Sequence, residues 1–258
     1  MQTIIQAVIF IGGSVLLALL GAFHVRRRVE LEVQMEQNEV AGFFIAVLGA
    51  VYGVLLAFAV ILVWEQFADA KVMAENEANS LGDVYNIAIG VSEPTRSGIH
   101  KAALAYARVV IDEEWQSQSD GIESRDAWLR LEEIWALVRQ FEPNGPREQA
   151  LHQSLLTDMD DLTDARRMRL LAARDGVPRL VWSVLIGGGV VTVLFTYFFG
   201  LKNFRAQLAM TALYVAAIGF VLFLVAAIDY PYTGVVSVGP EAMTLVLERI
   251  KILEEAGY

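Results

Sequence analysis

Residues 59–85, AVILVWEQFADAKVMAENEANSLGDVY, join an uncharged apolar run to a charged one, and no glycine or proline interrupts the chain from 54 to 81. Because nothing in this junction breaks a helix, we predict one helix from 41 to about 81. At 1.5 Å per residue it would be roughly 60 Å long. The stretch therefore predicts a membrane span that continues as a helical stalk in water.

Four stretches of the sequence contain no Asp, Glu, Lys or Arg: 1–25, 40–64, 180–201 and 206–228. Each is long enough to cross roughly 30 Å of hydrocarbon as a helix, the form that satisfies the backbone there. A chain that is 55% hydrophobic and 19% charged has too little amphipathic sequence to cover four such helices in water. Arginines follow the first run instead of preceding it, which argues against a cleaved signal peptide. We predict an all-α integral membrane protein with four transmembrane helices.

The runs divide the chain into two hairpins around an insert. Hairpin one covers 1–64, with spans at about 4–23 and 41–64, and hairpin two covers 180–228, with spans at about 180–201 and 207–228. Between them lies a soluble insert, 65–179, predicted to be a helical bundle, and an amphipathic C-terminal tail covers 229–258. The insert has 13 Lys and Arg against 21 Asp and Glu, a net charge of −8. No basic stripe suggests nucleic acid as a partner.

An even number of crossings places the insert and the tail on the same side of the cell (inner) membrane. Arg26, Arg27, Arg28, Lys202 and Arg205 lie in the short hairpin loops, which favours cytoplasmic loops and an external insert. Arginines also crowd the last turns of the insert, from 166 to 179, and favour the opposite orientation. The short loops weigh more in this rule, so we expect the insert outside.

A heptad-like row of residues follows the junction, with spacings that alternate between three and four. The candidates for an assembly seam on this row are Trp64, Phe67, Ala74, Ala78, Leu81 and Tyr85. Such a narrow apolar seam needs a partner helix. The partner could belong to the same chain, or copies of the seam could pack together around an axis.

Small residues recur every four positions in the second span, at Gly49, Gly53 and Ala57, and allow either close helix packing or a pore lining. Glu65 and Asp229 each follow a span directly, and Asp69 lies one turn beyond Glu65. In a symmetric oligomer these carboxylates would form rings at a pore mouth, although solvated helix ends would have the same sequence. No charged residue lies inside a span, so the usual sign of a proton relay or motor stator is missing.

The chain is not expected to be an enzyme. It has no cysteine, three scattered histidines and no phosphate-binding glycine loop, and it predicts neither a cofactor nor a metal site. The four carboxylates Asp158, Asp160, Asp161 and Asp164 spread over more than one helix face, next to Arg166 and Arg167. We interpret them as a solvated charged surface.

Three segments give the chain a resemblance to a known family: YGVLLAFAVILVWEQFADA (52–70), ENEANSLGDVY (75–85) and IDYPYTGVVSVGPEAM (228–243). They resemble the bacterial bestrophin-like domain family, over about 40–245. The matching features are Trp64, Glu77 with Ala78, Tyr85, and a turn of Pro231, Tyr232 and Gly234, where an aromatic, commonly Phe, follows the proline. The resemblance implies two spans, a helical insert and two spans, and a distant relation to bestrophins, which are pentameric anion channels.

These observations favour an oligomeric ion channel in the lipid bilayer, with a pore lined by the second span and inorganic ions as its cargo. The alternative is a non-conducting membrane sensor or scaffold that recruits a soluble partner through the acidic insert. The resemblance suggests chloride, whereas the carboxylates at the mouth predict a weak preference for cations.

Overall fold

The computed structural model describes residues 2–234 and 236–255. Position 1 of the first predicted hairpin, and positions 235 and 256–258 of the predicted tail, lie outside the described residues. Within them the chain is helical and contains no strand. The α-helices are α1 Gln2–Arg28, α2 Leu31–Ala88, α3 Thr95–Val109, α4 Trp115–Ser117, α5 Arg125–Gln140, α6 Pro146–Ala172, α7 Arg179–Thr196, α8 Phe204–Ile228 and α9 Glu241–Glu255.

The helix predicted from 41 to about 81 is longer than expected at both ends. The predicted loop before the second span contains good helix formers such as Leu, Glu and Gln, and in the structure α2 already begins at Leu31. Only Val29 and Glu30 separate it from α1. α2 has 58 residues, so at 1.5 Å per residue it is about 87 Å long.

Four helices are long and apolar enough to cross a membrane: α1 from Ile4, α2, α7 and α8. At most 33% of the residues in their apolar segments are buried within the chain. Such apolar surface is unstable in water and needs lipid or other protein copies to cover it. The chain is therefore a membrane protein.

The chain forms two compact units. The first contains the residues up to Glu65 together with Gly176–Asp229, which includes α1, the first part of α2, α7 and α8. Here α1 packs on α8, where Gly219 lets Ile11 approach closely, at 3.4 Å from where a Cβ would lie. Tyr52 of α2 packs against α7, and its hydroxyl donates to the Leu185 carbonyl at 2.8 Å.

The break between α7 and α8 in the first unit is held by side-chain amides. The Gln34 amide donates to the Tyr197 carbonyl at 3.0 Å, and Asn38 bonds both the carbonyl and the N–H of Gly200, at 2.9 and 3.0 Å. Backbone groups outside a helix must find partners in a site that excludes water. These residues at the start of α2 therefore fix the turn.

The second unit contains Gln66–Asp175 and the residues from Tyr230 onward. Its core is a continuous apolar cluster from α2, α3, α5, α6 and α9. α9 contributes its apolar face, formed by Met243, Val246 and Ile250. The amphipathic tail is thus part of the same compact unit as the residues of the insert.

Candidate functional site

One face of α2 stays exposed along most of the helix. Because each residue turns a helix by about 100°, Val47, Val54 and Ile61 lie on one line, and Val72 and Asn79 continue it. Val54 and Ile61 are more than half exposed, at 56% and 52%. The opposite face is buried; its core residues are Tyr52, Leu56, Ala59, Val63, Ala70, Ala74, Leu81 and Ala88. We call the exposed line the α2 stripe; its members are Val47, Val54, Ile61, Glu65, Ala68, Val72, Asn79, Asp83 and Asn86.

The stripe changes its chemistry along the helix. From Val47 to Ile61 its side chains are aliphatic, and Glu65 is the first charged member. Beyond Val72 the members are Asn79, Asp83 and Asn86, all of them polar and exposed. The stripe therefore passes from an aliphatic part to a polar part, and Glu65, Ala68 and Val72 lie between them.

The predicted pore and mouth residues of α2 differ in their position relative to this stripe. Glu65 and Asp69 are both exposed. Gly53 and Ala57 are exposed too, Gly49 is half-buried, and a Cβ added at Gly53 would meet no atom within 4 Å. At about 100° per residue, Ala57 borders the stripe and Gly53 lies further round the helix. Gly49 lies near the opposite face, where a Cβ would be 3.8 Å from the Tyr214 hydroxyl of α8.

Asp229 has a different environment from Glu65, although both follow a span. Its side chain is buried, at 6% exposure. One carboxylate oxygen accepts the Val177 backbone N–H at 2.6 Å, and the other accepts the Trp182 indole N–H at 3.0 Å. The carboxylate therefore ties the start of α7 to the end of α8.

Most of the predicted seam lies in the interior of a single chain. Ala74, Ala78, Leu81 and Tyr85 are buried, Phe67 is partly buried against the same unit, and Trp64 is 65% exposed. Leu81 and Tyr85 pack among residues of α3, α6 and α9. This burial agrees with the alternative in which the seam finds its partner helices within the chain.

The turn of Pro231, Tyr232 and Gly234 is built around the Tyr232 side chain. Its hydroxyl donates to the Ala70 carbonyl at 2.6 Å, and its ring meets the Trp115 ring edge-on at 5.9 Å. Gly234 has φ +79°, a left-handed conformation that favours glycine. The Val238 N–H donates to the Pro231 carbonyl at 2.7 Å and closes the loop.

The second unit contains a buried charge network that the sequence analysis missed. Arg169 donates to both Glu77 and Glu114, and Arg166 donates to Glu114 at 2.5 Å. The Tyr106 hydroxyl donates to Glu77 at 2.6 Å. All five side chains are at most 3% exposed. Two arginines balance two carboxylates, so the network has no net charge.

The network depends on a local irregularity in the fold. Val110–Glu114 form a π-helix after α3, which adds a residue to the turn and shifts the direction of the side chains that follow. Glu114 thereby reaches Arg166 and Arg169 of α6, and Trp115 lies under the Arg169 guanidinium, 4.9 Å from it to the ring centroid. The Trp115 indole N–H donates to the Val238 carbonyl at 3.1 Å and connects the network to the segment before α9.

The charges of the network shift the pKa values of its members. Desolvation alone would raise the pKa of Glu114, but the hydrogen bond from Arg166 and the charges of Arg169 and Arg166 outweigh it and hold that pKa below its ordinary value. Burial, reinforced by the negative charge of Glu77, raises the pKa of Tyr106 well above its ordinary value. Glu114 is therefore ionised and Tyr106 is neutral near pH 7.

A sequence signal for the network does exist. Leu155, Met159 and Leu162 form a buried row on α6, and the same spacing of three and four continues at Arg166 and Arg169. The interpretation of Arg166 as part of a solvated surface is wrong, because this row points into the core. Asp160, Asp161, Asp164 and Arg167 are exposed, as that interpretation expected. Among the described residues, no group of three or more His, Asp or Glu side chains could hold a metal ion.

Comparison with known proteins agrees with this architecture. The family model of the Bestrophin-like domain matches residues 12–243. No protein with a curated function matches the chain.

Solved structures with the same fold come from Klebsiella pneumoniae. A point mutant of a bacterial bestrophin homologue aligns with a TM-score of 0.70 at 13% identity, over 96% of this chain and 99% of that one. A structure of a bacterial bestrophin homologue, solved by Zn-SAD phasing, aligns with a TM-score of 0.67 at 14% identity, over 95% and 98%. At these identities the similarity shows the fold alone.

Proposed function

The chain belongs to the bestrophin-like family, and from that premise we propose that several copies assemble in a membrane into an ion channel whose path is lined by α2. The observation that carries the proposal is the α2 stripe. Its aliphatic residues in the apolar part of the helix are exposed in one chain, and a ring of copies around an axis would bring them together.

In this proposal the four apolar helices α1, α2, α7 and α8 span the membrane as two hairpins, and the second unit lies outside the lipid. The aliphatic part of the stripe, with Val54 and Ile61, forms the narrow part of the path. Rings of apolar side chains can gate a channel by excluding water. The polar members beyond Val72 line a hydrated vestibule.

The proposed ion preference follows from the first charge on the stripe. Glu65 is exposed and would form a ring of carboxylates directly after the aliphatic positions Val54 and Ile61, with Asp69 beside it. Such rings raise the local concentration of cations and repel anions. Asp229 has no part in this ring, since both of its oxygens already accept hydrogen bonds. Arg166 and Arg169 of α6 do not oppose it either, because both are buried and paired with carboxylates.

The experiment is conduction by the purified protein in planar bilayers, with the mass of the complex measured in detergent. We expect an oligomer and unitary currents. The Ile61→Trp substitution should reduce the unitary conductance because it adds bulk on the stripe. The matched control is Leu213→Trp, at a 73% exposed position of α8, and should leave the conductance unchanged.

A monomer that leaves the bilayer silent would refute the channel. An intact oligomer that never conducts would favour the scaffold alternative instead. In that case, the full-length complex purified from cells should carry a bound soluble partner protein, held by its acidic second unit.

The orientation of the second unit follows from the rule on short loops, which predicts that it is external. Because the chain has no cysteine, a single cysteine replacing the exposed Lys101 is a clean reporter. Labelling by a membrane-impermeant maleimide in intact cells is the expected result. Protection until the cells are opened would place the second unit in the cytoplasm.

A further inference from the structure

Two grooves flank the α2 stripe in the second unit. Groove 1, of about 550 Å³, lies between α2 and α6, and its lining includes Asp69, Asp161, Asp164 and Met168. Groove 2, of about 680 Å³, lies between α2 and α9, and its lining includes Leu245, the cations Lys71 and Arg249, and the carboxylates Glu75 and Glu241. Asn79 of the stripe lines both grooves. The grooves therefore open to opposite sides of the face that the channel proposal turns toward the axis.

Groove 1 is acidic and lacks a counter-charge in its lining. Asp69, Asp161 and Asp164 line it, and no Lys or Arg does. Arg167 lies beside the groove, and its contact with Asp164 is 3.9 Å long and exposed. Partial burial, together with the charges of Asp83 and Asp161, raises the pKa of neighbouring Asp158. Within one chain these carboxylates repel one another.

The rim of groove 1 also presents apolar surface. Met168 is 45% exposed on α6, one helical turn beyond Asp164 and two beyond Asp161. Residues at this spacing share one side of a helix. The α6 rim is thus a row of two carboxylates followed by a methionine.

Groove 2 offers complementary groups. On α9, Leu245 is 64% exposed, and Arg249 follows it one turn later. Among the described residues, no carboxylate lies within 4 Å of the Arg249 guanidinium. Lys71 forms one ion pair there, an exposed contact of 3.8 Å with Glu75. The α9 rim therefore combines an exposed leucine with an arginine that forms no ion pair with the described part of its own chain.

We propose that neighbouring copies of the chain join head to tail through these two grooves, with the α6 rim of one copy (Asp161, Asp164 and Met168) against the α9 rim of the next (Leu245 and Arg249). This inference rests on the proposed oligomeric channel and adds the surfaces that hold it together. Two different surfaces on opposite flanks of the stripe make a heterologous contact, which closes into a ring when the rotation allows it. The stripe then faces the axis in every copy.

Charge and apolar area act together in this contact. The carboxylates of one rim pair with Arg249 of the next copy, which relieves their mutual repulsion. Met168 and Leu245 cover each other's exposed surface, a loss of water contact that favours association. A helix edge that enters a groove with side chains one and two turns apart is a common mode of recognition.

The test uses the absence of cysteine from the chain. Met168→Cys and Leu245→Cys are introduced together, and membranes are treated with a bifunctional maleimide whose flexible spacer tolerates a small offset. A head-to-tail contact should give a ladder of covalent multimers larger than the dimer. Each single variant should give no such ladder, and a mixture of the two should stop at dimers. The control pair, Met168→Cys with Ile122→Cys, uses another exposed apolar position and should give none.

Charge reversal gives a second readout. In the double-cysteine background, Arg249→Glu should abolish most of the ladder, and adding Asp161→Arg with Asp164→Arg should restore it. Arg108→Glu, at an exposed arginine of α3, should have no effect. An oligomeric wild type without a ladder in the double-cysteine variant would overturn this interface alone. A monomeric wild type would overturn the channel proposal and the interface together, and a ladder that ignores Arg249→Glu would overturn the charge pairing.

Discussion

Arg169 and Glu77 form an ion pair in the interior of the second unit, where both side chains are 0% exposed. The Arg169 Nε and Nη2 atoms both donate to the Glu77 carboxylate, the second at 3.2 Å. Glu77 belongs to α2 and Arg169 to α6, 92 residues apart in sequence. The pair therefore fixes the rotation of α2 about its axis in this unit, because a rotated helix would bury a carboxylate without its partner.

We expect Arg169→Met to destabilise the protein by about 3–5 kcal/mol, because it leaves Glu77 and Glu114 with less positive charge in a buried site. Thermal or denaturant unfolding in detergent measures the loss. Arg167→Met, two residues earlier on α6, is the control, since Arg167 is 72% exposed, and it should change stability by no more than about 0.5 kcal/mol. Equal effects of the two variants would show that the network contributes little.

Tyr232→Phe should cost about 1 kcal/mol, because it removes the hydroxyl that donates to the Ala70 carbonyl but keeps the buried ring. Tyr232→Ala should cost about 3–5 kcal/mol, since it also leaves a cavity beside Trp115. The same unfolding measurement compares the two. A tyrosine that only fills space would show no difference between wild type and Tyr232→Phe.

Gly188→Ala should disturb the packing of α7 on α2. A Cβ at Gly188 would lie 2.8 Å from the Tyr52 ring, and overpacking of this kind costs about 1–3 kcal/mol. Gly187→Ala is the matched control in the same helix, because nothing lies within 4 Å of the added atom. Thermal stability in detergent should fall for the first variant and remain the same or rise for the second. The reverse order would contradict this packing.

Stability should fall in acid in two steps. Burial lowers the pKa of His100, which stacks on Tyr85 at 3.8 Å, although its hydrogen bond to the Tyr85 carbonyl opposes the shift. The unfolded state then binds a proton more readily, so stability is lost as the pH falls below about 6.5. The pKa of Glu114 is also lowered, so a further loss begins as the pH falls below about 4.5 and continues through its folded value.

Unfolding measured from about pH 8 to pH 3 covers both steps, and His100→Asn checks the first, because it should flatten the stability curve between about pH 7 and pH 5. A curve with the wild-type slope in that variant would exclude His100 as the cause. The second step should persist in His100→Asn, because Glu114 lies in a separate part of the core.

Glu65→Gln should move the reversal potential under a KCl gradient toward zero, because it removes the ring of carboxylates from the proposed path. Charges further than roughly 8 Å from the path are screened at physiological salt. Glu133→Gln, at an exposed position of α5 and not on α2, is therefore the control and should leave the potential near its wild-type value. A wild-type reversal on the chloride side that Glu65→Gln does not change would contradict the cation preference.

The four apolar helices and the long α2 could be predicted from the sequence alone. A long uncharged segment must form a helix in lipid, because a helix satisfies its own backbone hydrogen bonds. The segment from Val54 to Leu81 contains no glycine or proline to interrupt the helix. Membership of the family was also recognisable locally, in the segments around Trp64, Glu77 and Tyr232. These properties depend on neighbours along the chain, and the sequence specifies those neighbours directly.

Only the tertiary structure decided which charges are buried and which surfaces remain open. Asp229 and Glu65 both follow an apolar run, yet Asp229 accepts hydrogen bonds from Val177 and Trp182, whereas Glu65 is exposed. Arg166 and Arg167 are adjacent in sequence, but a turn of about 100° on α6 directs one to Glu114 and the other outward. Whether such a charged side chain is buried depends on partners that are 52 residues away in the sequence. A local sequence pattern does not show which distant residues the fold brings together.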